Sequence, residues 1–396
     1  MIPKYRQLFN DSFTSEKYEE FQDDIAADFD YRPTFRIAET PFFISKELKA
    51  QLLEGCEDVI RLIKQDNFKT LTEKSLELNT KVPNEDAHTT FLAVDFGICE
   101  ENGKVIPKLI EVQGFPSLFN YQHVLYDKFK KYYPFLEELT PFIGDISSEE
   151  YLKIIEDAIC GGYPKENVIL LEIEPEKQNT KIDFYYARRD LGIPIVCVTD
   201  LIKKRNQLFY HNDKGSEIQV KRIYNRVIFD ELDARTDLNL NFSFKDNLDV
   251  EWAGHPNWFF RISKFILPML KGQYFIETTL LSDLKEIPED LENYVLKPLF
   301  SFSGSGVIFH VKKGDIEAVT EKDLYILQKK VNYIPIVQSP DGKVKAEVRV
   351  LFVWKKNDDS PTPLCNLVRL SRGEMIGVKF NKDKDWVGGT LGLFER

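Results

Sequence analysis

Residues 91–119 read FLAVDFGICEENGKVIPKLIEVQGFPSLF. Two apolar runs, 91–98 and 105–112, flank Glu101-Asn102-Gly103-Lys104. Asn-Gly between apolar runs is a strong hairpin signal, because both residues tolerate the positive φ of a tight turn. The pattern predicts paired antiparallel strands, with Asp95 on the first and Glu111 and Gln113 on the second. Residues two apart on a strand share a face, so Glu111 and Gln113 project together. Two carboxylates and an amide oxygen are hard ligands, suited to a Mg²⁺ ion that also touches phosphate oxygens. A one-sided sheet with solvated carboxylates gives the same pattern.

The rest of the chain is read outward from this hairpin. With 396 residues, two or three domains are expected. Residues 1–30 are polar and aromatic and predict a solvated helix. An amphipathic helix is expected over about 45–65, with Ser45 as N-cap. The loop-like YYPFLEELTPFIGD places a domain boundary near residue 145. Beyond it, a buried strand at 168–173, a helix at 181–191 closed by Gly192, and a strand at 193–198 make a βαβ unit. A hairpin joins 207–210 to 217–220. From His255 onward the pattern is α+β: a helix over 259–270, strands at 294–296, 307–311 and 324–328, then KAEVRVLFVW and LCNLVRLSRGEMIGVKF. The division expected is 1–147, 148–254 and 255–396.

Composition narrows the function classes. Lys+Arg is 53 and Asp+Glu is 64, a formal net charge of −11. Binding an extended nucleic acid or an anionic membrane needs a basic surface, so neither is an expected partner. No apolar run reaches the length of a membrane-spanning helix. The five cysteines are widely spaced with no CxxC, as expected for free thiols in a cytoplasmic protein.

Four further groups carry possible chemistry. In LKPLFSFSGSGV, Lys297 ends a strand and runs into Ser303-Gly304-Ser305-Gly306. Backbone N–H groups of such a loop cradle phosphates, and a lysine supplies a point charge; a plain turn has the same composition. Lys264, in RISKFILPML, reads on its own as a solvated charge. Glu347 and Arg349 share one face of an otherwise apolar strand, facing either solvent or a cleft. Arg226 suits a substrate carboxylate or phosphate through its planar fork, or an ion pair with Asp230.

Taken in order, these pieces resemble the ATP-grasp superfamily, and within it the circularly permuted branch that includes glutathionylspermidine-synthase-like proteins. The resemblance spans about residues 80–396. It implies an α+β / α/β architecture: an ATP-grasp fold, circularly permuted, with a small α/β domain preceding the nucleotide-binding part. VDFGICEENGKVIPKLIEVQG is similar to the metal-binding strand pair, which implies Asp95, Glu111 and Gln113 as Mg²⁺ ligands. The family usually has Asn where Gln113 stands. RISKFILPML resembles the helix that carries the first nucleotide lysine, here Lys264. YVLKPLFSFSGSGV resembles the phosphate lid, with Lys297 and the loop 303–306. LYILQKKV resembles the hinge beside adenine, placing Gln328, Lys329 and Val331 near the base. Glu347 and Arg349 fall where the family faces nucleotide and acyl phosphate.

The implied activity is an ATP-dependent carboxylate–amine ligase using ATP and Mg²⁺. A carboxylate attacks the γ-phosphorus, and an amine (of an amino acid, a peptide or a polyamine) captures the acyl phosphate. Arg226, Arg349 and Lys297 are the implied catalytic residues, with Arg226 on the acid. A small-molecule kinase or a nucleotide-binding pseudoenzyme on the same scaffold are the alternatives, the second kept open by Gln113.

Overall fold

The computed structural model of the chain describes residues 1–77, 81–144, 146–301, 305–373, 376 and 381–396. Strands Phe91–Glu101 and Lys104–Gln113 form the expected hairpin, with Asn102 at φ 53° and Gly103 at φ 74° in the turn. The hairpin is one side of a six-stranded antiparallel sheet. Phe91–Glu101 pairs with Gly342–Val353, which pairs with Thr362–Ser371 and, through that strand, reaches Gly388–Thr390. Val337–Ser339 adds to the strand Gly342–Val353. The spans 1–147 and 255–396 therefore contribute strands to one sheet. Aliphatic and aromatic residues of the long strands pack into one large core.

Helix Lys46–Ile63, capped by Ser45, covers this sheet as its periodicity predicts. Its Gly55 lies against the Phe96 ring: a Cβ there would be 2.8 Å from the ring. Residues 1–30 form two helices, Pro3–Ser12 and Ser15–Ala27, which are not fully solvated as expected. Phe9 and Phe21 are buried, 4.3 Å from the Tyr133 ring and 4.5 Å from the Phe129 ring respectively. The acidic cluster had masked these aromatic anchors.

Residues 148–254 hold a parallel four-stranded sheet in the order Glu251–Ala253, Arg222–Asn225, Val168–Glu172, Ile195–Cys197. Helix Lys181–Leu191 ends at Gly192, whose φ of 71° is the left-handed cap read from the sequence. A meander, Ile202–Lys204, Gln207–His211 and Glu217–Val220, completes the span.

A further sheet is small and antiparallel: Thr278–Leu280, Tyr325–Lys329 and Tyr294–Pro298. Two expectations differ here. The helix expected over 259–270 is split into Asn257–Arg261 and a 3₁₀ turn, Lys264–Met269, because Ser263 is extended and caps the second piece while Pro268 lies inside it. The strand expected at 307–311 is reduced to one bridge between Ile308 and Leu296.

Candidate functional site

A cavity of about 1660 Å³ is lined by the six-stranded sheet, the small antiparallel sheet and the end of the parallel sheet. Its charged wall is built by strand register. Glu111, Asp95 and Arg349 lie in one row across three adjacent strands. In the next row Gly97, Glu347 and Arg369 are opposed. A bulge between Asp95 and Phe96, with Ile110 as the extra residue, re-aims the strand just before Glu111.

Asp95 is fully buried. Its two oxygens accept from Arg349, 2.7 Å from Nε and 2.6 Å from Nη2, and Arg369 Nη2 reaches Oδ2 at 3.2 Å. Arg369 also pairs with Glu347, 2.7 Å away, whose other oxygen accepts from Tyr333 at 2.6 Å. Tyr333 comes this close because it crosses Gly97, where a Cβ would be 2.6 Å from the ring. Burial opposes the charge on Arg369, but Glu347, Asp95 and Glu111 hold its proton more firmly than usual. Arg369 was missed in the sequence. Its only signal is that it shares a face with Leu367 in an apolar strand; its role follows from register with Glu347.

Glu111 pairs with Lys264 at 3.0 Å, and Gln113 Nε2 approaches its second oxygen at 3.3 Å. Burial raises the Glu111 pKa, but Lys264, then Arg349 and Lys297, outweigh it and hold the carboxylate at about 2. Lys264 is buried, not solvated, and also donates to Ser301 O at 2.9 Å. The meeting of Glu111 and Lys264 depends on Gly114. Its N–H donates to Ile262 O at 2.9 Å, and a Cβ there would be 2.3 Å from Trp258 O. Glycine is what lets the two segments touch.

Lys297 faces the same cavity from the small sheet. Burial lowers its pKa to about 8, with Lys264 adding to the effect and Glu111 and Glu347 opposing it. Its ammonium donates to Gln328 Oε1 at 2.6 Å, and Gln328 Nε2 donates to Thr278 at 3.0 Å. Gln328 thus bridges Lys297 and Thr278 while lining the cavity. Lys329 and Val331 line the cavity; the Lys329 ammonium pairs with Glu277 at 2.6 Å. Of the expected lid, Ser305 and Gly306 are exposed in a turn against Pro298, while Ser303 and Gly304 lie outside the described residues.

Arg226 also lines the cavity, buried, 4.5 Å over the Phe115 ring, with Nη1 donating to Pro116 O at 2.8 Å. Its Nε is buried without a partner, and the ion pair weighed with Asp230 is not what holds it. Glu172 lines the same cavity. Burial pushes its pKa to about 8, against its hydrogen bond from Ile173 N–H at 2.7 Å and the charge of Arg226. A protonated carboxyl at neutral pH is a hydrogen-bond donor, a role the strand sequence VILLE did not disclose.

The residues implied for Mg²⁺ do not fit a divalent ion as they stand. Both Asp95 oxygens are held by guanidinium groups, Glu111 by Lys264, and Gln113 turns its amide nitrogen toward Glu111. Among the described residues, no group of three His, Cys, Asp or Glu side chains is placed to hold a metal. The wall brings four cations, Lys264, Lys297, Arg349 and Arg369, to three carboxylates, Asp95, Glu111 and Glu347. Among the described residues of this wall one positive charge is left in excess, which suits an anion.

No protein-family model and no curated protein matches the chain. Among solved structures it is similar to a glutathione synthetase-like effector from Globodera pallida in its apo form. The identity is 12%, the TM-score 0.58, and the match covers 96% of this chain and 96% of that chain. The likeness shows the fold: a glutathione synthetase-like α+β architecture, compatible with an ATP-grasp-like fold. No helix among the described residues is long and apolar enough to cross a membrane.

Proposed function

We propose that the chain binds ATP in the cleft between the six-stranded sheet and the small sheet that carries Lys297, and acts as an ATP-dependent carboxylate–amine ligase. The observation that carries this is the convergence of Lys264 and Lys297, from two unrelated segments, on one cavity with an excess of positive charge. A lysine pair of this kind neutralises phosphate oxygens as fixed point charges. The cavity exceeds the roughly 300–1,000 Å³ of an ordinary small-molecule site, which leaves room for a nucleotide and an acid together. In this arrangement the chain is a circularly permuted ATP-grasp protein, with the strand pair carrying Asp95 and Glu111 ahead of the nucleotide lysines.

The division of work follows the geometry. Lys264 and Lys297 hold the polyphosphate. Arg226, with an unpartnered Nε, receives the carboxylate of the acid. Arg369, partly exposed beside Glu347, steadies charge that builds up as the phosphoryl group moves. No protein nucleophile is required, since positioning and charge neutralisation supply the rate. Incubation with ATP and mixtures of amino acids, peptides and polyamines tests this. ADP release that depends on both an acid and an amine is the expected result, and acceptor-independent release of a phosphorylated product points to a kinase.

A second reading is favoured by one observation. Asp95 is closed by two arginines, and a cleft that binds nucleotide without turning it over would tolerate that. Saturable ATP binding with no ADP release under any acceptor mixture supports it.

A further inference from the structure

Among the described residues, every carboxylate on the charged wall has a resident cation. Asp95 has Arg349 and Arg369, Glu347 has Arg369, and Glu111 has Lys264. The arrangement at Asp95 is set by strand pairing and not by a loop. Arg349 and Asp95 are opposed in register on neighbouring strands in the middle of the six-stranded sheet, and Asp95 has no exposed surface. A ligand cannot open the pair without breaking a buried, bidentate, charge-assisted contact. A divalent ion placed between Asp95 and Glu111 would also meet Arg349 and Lys264, each already in contact with one of those carboxylates. Like charges at that range in a buried site repel strongly.

We propose that Arg349 and Arg369 permanently take the cation position at Asp95, so that this cleft accepts a polyphosphate anion without a divalent ion held by the protein. The guanidinium groups, fixed by the sheet, do the charge neutralisation that a metal would otherwise bring. The exclusion of metal stands on the wall's own geometry; its consequence for polyphosphate binding rests on the nucleotide reading above.

Two measurements on the full-length chain test the two parts separately. In the first, Mn²⁺ is titrated without nucleotide and the free ion is followed by electron paramagnetic resonance. No stoichiometric uptake at millimolar Mn²⁺ is expected, and uptake of one equivalent overturns the proposal. In the second, ATP is titrated by calorimetry in EDTA and again in excess Mg²⁺. Affinities within about threefold of one another are expected. Binding only in the presence of Mg²⁺ overturns the proposal. If Mn²⁺ is refused and ATP binds in neither buffer, the closure at Asp95 holds and the nucleotide reading is the one that falls.

Discussion

Asp95 and Arg349 lie directly opposite one another on adjacent central strands, and the guanidinium donates to both carboxylate oxygens, at 2.7 and 2.6 Å. Removing one partner of a buried pair leaves the other charge without compensation, at a cost of about 3–5 kcal/mol. Arg369 remains beside Asp95, so Arg349→Ala is expected near the lower end, about 3 kcal/mol. The double variant Asp95→Asn/Arg349→Gln is expected to lose less than the sum of the two single changes. Urea denaturation of the four proteins measures this; simple additivity would show that the pair is not coupled.

Lys297 gives the cleft a pH dependence. Its native pKa is lowered to about 8 mainly by burial, below the usual lysine range. Below pH 8 the ammonium is charged in the folded chain, and the cost of burying that charge is present. As pH rises from 8 toward the unfolded lysine value the cost disappears, so this group makes the fold more stable with rising pH. Anion affinity runs the other way. Binding of ATP is expected to weaken as pH rises through about 8 to 9, and Lys297→Met is expected to abolish that dependence. Calorimetric titration across this range measures both.

Gly114 holds the Glu111 segment against the Lys264 segment. A Cβ at this position would be 2.3 Å from Trp258 O, a backbone atom that cannot swing aside. Gly114→Ala is expected to lower stability by about 1–3 kcal/mol, the usual cost of overpacking. It is also expected to weaken ATP binding, because Lys264 and Glu111 are pushed apart. Thermal melting with and without ATP reports both effects.

Arg226 and the lysine pair should separate in kinetics. Arg226 stacks on Phe115, with one guanidinium nitrogen unpartnered. Arg226→Lys loses the planar fork and is expected to raise the KM for the acid at least about tenfold while leaving ATP affinity unchanged. A matched loss of ATP affinity would place Arg226 in the nucleotide site instead.

The hairpin that decides the fold was legible because its signals are local: Asn102-Gly103 in the turn, apolar runs on both sides, and Asp95 opposite Glu111. The cap at Gly192 and the helix start at Ser45 were legible for the same reason. What could not be read is register between strands far apart in sequence. Nothing near Arg369 announces that it faces Glu347, or that Arg349, 254 residues from Asp95, closes the carboxylate expected to hold a metal. The burial of Lys264 likewise depends on Gly114 letting two distant segments touch. The expected helix over 259–270 failed on a local cue that was present, Pro268, which favours the tight 3₁₀ turn seen there.

The central claim is that the cleft between the six-stranded sheet and the small sheet that carries Lys297 is a nucleotide site held by Lys264 and Lys297. Calorimetric titration of ATP into the full chain, and into Lys264→Ala and Lys297→Met, tests it most directly. A buried charge-assisted hydrogen bond to a phosphate contributes about 1.5–3 kcal/mol. One saturable site in the wild-type chain, weakened roughly tenfold to a hundredfold by each substitution, is the predicted result. No heat of binding in the wild-type chain, or binding that both variants retain in full, would contradict the account.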